Sequence, residues 1–241
     1  MINVIKASDR NCGKYGWLTT YRLFSFSDYY DPENENWGML RVFNDDVVQA
    51  GEGFPVHPHE NMEIITIVLD GELTHKDSTG NSGVIRPGDV QRMSAGTGIR
   101  HSEYNLGKVP VHFYQIWIFP GVNSLKPSYE QNTFEPVKWH NTILPLASGQ
   151  GMRNVVKFNS TATIYRCELD EGKTVLFQAR DSRYVFVYVT GGSVSINGAA
   201  VGEKGQARIK EETILEFKAD KHSDFIIIDV PEDDSVSLRN M

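Results

Sequence analysis

Residues 62–80 read MEIITIVLDGELTHKDSTG, and this stretch contains the features that decide the fold class. Residues 62–69 form a short apolar run rich in isoleucine, which is typical of a buried strand. Asp70 and Gly71 follow as a strong turn signal, and residues 72–75 lead away from the turn. The stretch therefore predicts a β-hairpin with its turn at Asp70-Gly71.

The same texture recurs along the whole chain. Short runs rich in β-branched and aromatic residues alternate with clusters of Gly, Pro, Asn and Asp, and helical periodicity is nearly absent. The clearest further runs are residues 111–119, 163–169, 184–190, 213–217 and 225–230. Many short strands with regular turn signals are typical of a sandwich or jelly-roll barrel. The predicted fold class is therefore all-β.

Two parts of the chain look like diverged copies of one β unit. The stretch VIRPGDVQRMSAG at 84–96 has a counterpart in AVGEKGQARIKEE at 200–212, where Gly205 takes the turn position of Gly88. We therefore predict two tandem jelly-roll β-barrel domains. Residues 1–125 would form the first barrel, 126–150 an irregular connecting segment, and 151–241 a second, shorter barrel.

The bulk properties exclude several classes of protein. Lys plus Arg number 24 and Asp plus Glu number 31, which gives a net charge of −7. This acidic balance, with no basic patch, argues against direct binding of nucleic acid. The apolar runs are too short to cross a bilayer and the first residues contain no leader pattern, so we expect a soluble cytoplasmic protein and no membrane partner. We also expect a monomer.

Two cysteines occur, Cys12 and Cys167, far apart in the sequence. A secreted disulfide framework would need more cysteines, so two reduced thiols are the preferred interpretation, with one bridge left open.

Two pairs of side chains have the spacing of metal ligands. His57 and His59 are separated by one proline, and His101 and Glu103 are likewise two positions apart. Residues at i and i+2 of a strand face the same way, so the four side chains converge if the two strands are neighbours. Three imidazoles and one carboxylate suit Fe, Mn, Co, Ni, Cu or Zn rather than Ca or Mg. A single His-x-His pair is more often incidental, but the ordered combination is specific.

These motifs resemble the pirin family, whose members are bicupins of the cupin superfamily. The resemblance is strongest over residues 51–103, in GFPVHPHENMEIITIVLDGELTHKDSTG and RPGDVQRMSAGTGIRHSEYN, and extends to residues 37–48 and 111–121. It implies that both barrels are cupin domains. It also implies that His57, His59, His101 and Glu103 bind one divalent transition metal ion, with part of its coordination sphere open.

The resemblance further implies a function. Bacterial pirin-like proteins of this length are associated with quercetin 2,3-dioxygenase activity, which cleaves flavonols with O₂. The expected partners are then a small aromatic substrate and O₂, with Glu103 as the general base that takes the substrate's proton. Two alternatives stay open: a metal-sensing regulatory protein that binds a protein partner, and a metabolite-binding cupin without turnover.

The second half is expected to lack a complete metal site. Aligning the turn at Gly71 with that at Gly192 places His101 and Glu103 on His222 and Asp224. The same alignment places His59 on Arg180, and an arginine does not give up its proton to bind a metal ion. We therefore predict one metal ion per chain, in the first barrel.

The remaining histidines and the tryptophans receive plainer interpretations. His75 and His112 are expected on strands of the first barrel. Ordinary strand positions are preferred for them, and a contact with a metal ligand or with the substrate is left open for either. His140 is expected to be structural. The four tryptophans are expected to pack in the core, although aromatic walls around a metal cleft would suit a flat substrate. They are Trp17, Trp37, Trp117 and Trp139.

Overall fold

Within residues 1–232, which the computed structural model describes, the chain forms 22 β-strands and two single-turn 3-10 helices, at Ala7–Asp9 and Pro136–Lys138. Neither of these helical turns is long enough to span a membrane. The all-β fold predicted from the sequence is confirmed.

The strands divide evenly between the two halves of the chain. In the first half they are β1 (Ile2–Ile5), β2 (Asn11–Lys14), β3 (Leu18–Arg22), β4 (Leu40–Val48), β5 (Gly53–His59), β6 (Glu63–Asp70), β7 (Leu73–Asp77), β8 (Ser82–Ile85), β9 (Asp89–Ser94), β10 (Ile99–Tyr104) and β11 (Val111–Ile118). In the second half they are β12 (Ser128–Thr133), β13 (Leu144–Ser148), β14 (Val156–Lys157), β15 (Thr163–Leu169), β16 (Thr174–Gln178), β17 (Arg183–Gly191), β18 (Ser193–Ile196), β19 (Ala199–Gly202), β20 (Gln206–Ile209), β21 (Ile214–Ala219) and β22 (Ser223–Pro231).

Each barrel is built from one large and one small sheet. In the first barrel the large sheet has the order β12-β9-β6-β11-β4-β3-β2 and the small sheet the order β5-β10-β7-β8. In the second barrel the orders are β1-β20-β17-β22-β15-β13-β14 and β16-β21-β18-β19. Strands β4 to β11 therefore correspond in position to β15 to β22, and the predicted repeat of one β unit is confirmed.

The turn at Asp70-Gly71 exists, but the hairpin predicted around it is wrong. Strand β6 pairs with β9 and β11, whereas β7 pairs with β8 and β10 in the other sheet. Gly71 has φ +75°, and a Cβ there would lie 2.7 Å from the carbonyl oxygen of Pro110. The turn requires glycine because it bends the chain sharply from one sheet of the barrel to the other.

The predicted connecting segment, residues 126–150, is not wholly irregular. Strand β12 adds to the large sheet of the first barrel beside β9, and β13 adds to that of the second barrel beside β15. Strand β1, from the start of the chain, pairs with β20 in the second barrel. The division of the chain at 126–150 stays a prediction, and β1 is a strand of the first predicted domain that belongs to the second barrel.

The two large sheets pack against each other through an apolar layer. Phe43 lies at its centre, with ring centroids 4.9–5.3 Å from those of Tyr114, Phe186 and Tyr188. Residues from both barrels form this layer, among them Leu40, Ile65, Ile67, Ile116, Ile164, Ile226 and Ile228. The large sheet of the first barrel therefore packs on both faces, with one face toward the barrel interior and the other against this apolar layer.

A buried carboxylate joins the two barrels within this layer. Asp45 accepts hydrogen bonds from His112 Nε2 at 2.5 Å and from the Tyr188 hydroxyl at 2.6 Å, and Lys204 Nζ lies 3.4 Å away. Burial alone would raise the pKa of Asp45, but the hydrogen bond from His112 and the charge of Lys204 outweigh it and lower the pKa. His112 lies on a strand as predicted, and it binds Asp45.

The interior of the second barrel is apolar. It is filled by a continuous cluster that includes Leu169, Phe177, Val187, Val194, Ile196, Leu215, Phe217, Phe225 and Ile227. Cys167 belongs to this cluster, and burial raises the pKa of its thiol to about 12. Both Cys12 and Cys167 are free thiols, as the sequence favoured.

Replacing Phe43 by Ala should lower the free energy of unfolding by about 3–5 kcal/mol, because a large cavity opens between the barrels. Urea denaturation measures this loss. Tyr30→Ala is the control, since Tyr30 is 70% exposed, and it should change the value by less than about 0.5 kcal/mol. Equal losses in the two variants would contradict the packing described here.

Candidate metal centre

Strands β5 and β10 bring three predicted ligands together. They pair antiparallel with His57 opposite His101 and His59 opposite Ile99. Along β5 the residues flanking His59 and His57, such as Val56 and Pro58, are exposed, so the two imidazoles point inward. The ring centroids of the three histidines lie 4.4–4.8 Å apart. One nitrogen from each ring lies within 4.8 Å of the others.

The hydrogen bonds of two rings leave nitrogens free for an ion. His57 Nδ1 lies 2.7 Å from the carbonyl oxygen of Pro55, which fixes Nδ1 as the donor and leaves Nε2 as a lone-pair nitrogen. His101 Nε2 is buried and has no hydrogen-bond partner within residues 1–232. A buried polar atom without a partner is costly unless something binds it. These side chains therefore fit a divalent transition metal ion.

Burial favours the neutral form of His59 and His101. The pKa of His59 is lowered to about 3, mainly by burial and also by the neighbouring His101 and His57. Burial likewise lowers the pKa of His101 to about 3, with His57 and His75 as the next causes. A neutral imidazole is the form that binds a metal ion, so the site does not have to lose protons from these rings first.

Glu103 lies beside the imidazoles, inside the same cavity. Its Oε2 accepts a hydrogen bond from Gln115 Nε2 at 2.9 Å, and its Oε1 one from the Thr66 hydroxyl at 3.3 Å. The pairing of β10 with β5 shifts its register between His101 and Glu103. The Glu103 carboxylate lies in one potential ligand group with His75 and His101, not in the group of the three predicted imidazole ligands. Glu103 as the fourth ligand stays a prediction.

His75 contacts a predicted metal ligand, which is the alternative that the sequence left open and not the ordinary strand position that it favoured. It is fully buried, its Nδ1 lies 3.4 Å from His101 Nδ1, and its Nε2 lies 3.2 Å from Asp77 Oδ2. Asp77 accepts a hydrogen bond from the Nε2–H of His75. The Nδ1 of His75 therefore carries no proton and accepts a hydrogen bond from the Nδ1–H of His101. This chain of hydrogen bonds orients His101 with its Nε2 toward the cavity. The i, i+2 spacing of His75 and Asp77 on β7 was the signal in the sequence.

The carboxylate of Asp77 is suited to be the last acceptor in this series of hydrogen bonds. Burial alone would raise its pKa, but hydrogen bonds from Thr79, His75 and Asn81 outweigh burial and lower the pKa to about 2. Asp77 is therefore ionised over the whole physiological range and accepts the His75 proton without taking it.

Aromatic side chains form the walls of the cavity. The Trp117 ring lies 4.8 Å from His59 and 5.1 Å from Phe26, both edge to face. The cavity has a volume of about 60 Å³, and its lining also includes Asn44, Asp46, Phe54, Ile64 and Gln115. Trp17 lines an adjoining cleft. All four tryptophans pack against apolar clusters as predicted, and Trp17 and Trp117 also form the aromatic walls that the sequence left open.

A second buried carboxyl group, Asp46, was missed by the sequence analysis. Its side chain lines the cavity from β4 and is 3% exposed. Its pKa is raised from 3.8 to about 7, mainly by burial and also by the charges of Asp45 and Glu103, against a hydrogen bond from Thr20. Asp46 lies in an unbroken buried stretch of β4, so alternation of polar and apolar residues could not mark it.

The turn-based alignment placed His222 and Asp224 incorrectly. The strand that corresponds to β10 is β21, whereas His222 lies in the turn before β22, the counterpart of β11. His222 Nε2 lies 3.1 Å from Glu168 Oε1, and His140 Nε2 lies 3.2 Å from Asp170 Oδ2. These contacts lie on the surface, and they agree with the structural role expected for His140.

Comparisons with known proteins cover both barrels. Residues 5–118 match the pirin family, and residues 145–230 match the quercetinase C-terminal cupin domain. The quercetin 2,3-dioxygenase of Escherichia coli strain K12 is 40% identical over 232 residues, 96% of this chain and 99% of that protein. The crystal structure of YhhW from Escherichia coli matches with a TM-score of 0.92 at 39% identity, over 96% of this chain and 98% of that one. A structure of bacterial pirin YhhW in complex with nickel(II) matches with a TM-score of 0.91 at 38% identity, over 96% and 100% of the two chains.

Replacing His75 by Leu should weaken binding of Ni(II) by about 10- to 100-fold, because His101 loses the acceptor that orients it. Isothermal titration calorimetry of the metal-free protein with Ni(II) measures the change. His140→Leu is the matched control on the surface of the second barrel and should leave the affinity unchanged. If both variants bound Ni(II) as tightly as the wild type, the orienting role of His75 would be refuted.

In the metal-free protein, Asp46 should make folding less favourable as the pH rises from about 4 to 7. Its pKa is raised from 3.8 to about 7 in the folded state, so the folded state binds more protons in this range and stability falls with rising pH. Asp46→Asn removes this dependence. The stability of the variant relative to the wild type should therefore increase between about pH 4.5 and pH 7.5 in urea denaturation. A constant difference would show that Asp46 titrates near its ordinary value.

Proposed function

The chain belongs to the pirin family, and from this premise we propose that it is a metal-dependent dioxygenase that cleaves flavonols such as quercetin with O₂. The observation that carries the proposal is the convergence of three imidazoles beside a buried carboxylate in an aromatic-walled cavity. A relative of nearly the same length is named a quercetin 2,3-dioxygenase, which supports the substrate class.

The ion would be held by His57, His59 and His101, with Glu103 as the proposed fourth ligand. Nitrogen and carboxylate donors suit Fe, Cu, Ni, Co, Mn or Zn, and a relative is known in complex with nickel(II). Once bound, such an ion supplies Lewis acidity toward a substrate oxygen and a coordination position open to a further ligand. His75 and Asp77 keep the His101 ring in the orientation that this binding requires.

Glu103 is the proposed general base. A flavonol carries an acidic 3-hydroxyl group, and removal of that proton gives an electron-rich enolate that is prone to react with O₂. The proton would move from the hydroxyl oxygen to a carboxylate oxygen of Glu103. Gln115 donates a hydrogen bond to Oε2 and Thr66 donates one to Oε1, and these two bonds hold the carboxylate in place.

The walls of the cavity suit a flat aromatic substrate. Trp117, Phe26 and Phe54 line the cavity around the imidazoles, and they would restrict a planar ring system to few orientations. The same apolar surfaces displace water from the reacting atoms, which strengthens the electrostatic interactions between Glu103 and the substrate.

Protein loaded with Fe, Mn, Co, Ni or Cu should consume quercetin in air, which is followed by loss of flavonol absorbance and release of carbon monoxide. Glu103→Gln should lower kcat by about 100-fold or more at equal metal content, because the base is lost. Glu216→Gln, on the corresponding strand of the second barrel, should leave kcat unchanged. Absence of turnover with every one of these metals would overturn the proposed function.

A further inference from the structure

The cavity at the metal centre is too small to hold a whole flavonol. Its volume is about 60 Å³, whereas sites for ligands of this size measure about 300–1,000 Å³. A second cleft, of about 480 Å³, adjoins it, and Phe26, Asn44, Asp46 and Phe54 line both spaces. A large ligand that reaches the imidazoles can therefore extend past these four side chains into the second cleft, called the outer cleft below.

We propose that the outer cleft is the subsite for the part of the substrate that lies away from the metal centre, and that Asp46, assisted by Asn44, binds a hydroxyl group of that part. The ligand class is a flat aromatic molecule with hydroxyl groups beyond the metal-facing end. This inference rests on the proposed function and adds to it the residues that select among aromatic substrates.

The first support is the position of two unsatisfied oxygens. Asn44 and Asp46 are two residues apart on β4, and both side chains face the barrel interior. Asn44 Oδ1 and Asp46 Oδ1 are fully buried, and neither has a hydrogen-bond partner among residues 1–232. Buried acceptors are almost always paired, so two such atoms at one junction point to a ligand that carries hydrogen-bond donors.

The second support is the chemistry of the outer cleft. Trp17 and Phe54 meet edge to face with centroids 5.2 Å apart, and they present aromatic surface to the cleft. Arg22 is the cation that lines it, and its guanidinium already contacts Asn11 at 3.1 Å, Asp28 at 2.8 Å and the hydroxyl of Tyr15. With this charge neutralised, the cleft suits an uncharged hydroxylated ring better than a phosphate or carboxylate.

The protonation state of Asp46 agrees with this role. In the metal-free protein its pKa is raised to about 7, with burial as the largest cause, so the carboxyl group there takes up a proton more readily than an exposed one. A neutral carboxyl group can both donate and accept a hydrogen bond. It can therefore bind either the hydrogen or the oxygen of a hydroxyl group.

The test compares two ligands that share the metal-facing end. Quercetin and 3-hydroxyflavone both carry the 3-hydroxyl group, and 3-hydroxyflavone lacks the other hydroxyl groups of quercetin. Dissociation constants are measured without O₂ on nickel-loaded protein, by quenching of tryptophan fluorescence. We expect the wild type to bind quercetin at least about 3-fold more tightly, and Asp46→Leu to lose about 3- to 10-fold for quercetin but less than about 2-fold for 3-hydroxyflavone.

Two further variants sharpen the comparison. Asp46→Asn keeps a donor and an acceptor, so it should retain the wild-type preference for quercetin to within about 2-fold. Gln91→Leu is the matched control, because the Gln91 side chain is also buried with unpartnered atoms but lines neither space. It should leave both affinities unchanged. Where Asp46→Leu does not fold, Asn44→Leu carries the same ligand comparison.

The outcomes separate this inference from the proposed function. Equal affinities of the wild type for the two ligands, equal losses for both ligands in Asp46→Leu, or no measurable binding would each overturn the subsite. Binding that depends on Asp46 without any turnover would uphold the subsite and overturn the dioxygenase. Turnover of quercetin with an unaffected ligand preference in Asp46→Leu would do the reverse.

Discussion

The site depends on one structural constraint, the pairing of β10 between β5 and β7. His101 lies opposite His57 on β5 and opposite Asp77 on β7. The register of these two strand pairs therefore determines which imidazole lies beside His101 and which residues of β7 orient its ring. A slip of one residue in either pairing would turn these side chains to the other face of the sheet. The turn at Gly71, which sends β7 into the small sheet, is therefore part of the construction of the metal centre.

The polar site divides the core of the first barrel. One apolar cluster, around Val68, Leu73 and Phe113, lies on one side of it, and a smaller one, around Ile64 and Met93, lies on the other. The second barrel has one continuous apolar interior instead. The layer between the large sheets compensates for the divided core, because it buries the outer face of the first barrel against the second. The second barrel thus stabilises the first barrel, whose interior is divided by polar residues.

Local features of the site could be predicted from the sequence, and long-range features could not. The i, i+2 pairs at His57 and His101 follow from strand geometry, and the turn at Gly71 follows from its residue type. The hairpin failed because the turn residues do not determine which sheet the next strand joins. The alignment of His222 failed because the loops of the two barrels differ in length. The pairing of β1 with the second barrel and the addition of β12 to the first barrel have no signal in the sequence.

The adjacent residues Asp45 and Asp46 show how partners decide the role of a buried acid. Strand geometry turns Asp45 toward the second barrel. There it accepts hydrogen bonds from His112 of its own barrel and from Tyr188 of the second barrel, Lys204 lies close by, and its pKa is lowered. Asp46 faces the metal cavity, where one oxygen is unpaired among the described residues and burial raises its pKa to about 7. Both side chains are almost fully buried, so burial alone does not distinguish them. A buried acid whose oxygens are hydrogen-bonded by donors of both barrels stabilises the fold. A buried acid that has an unpaired oxygen and lines a cavity is placed to bind a ligand. This difference gives β4 two functions at once, one on each face of the same strand.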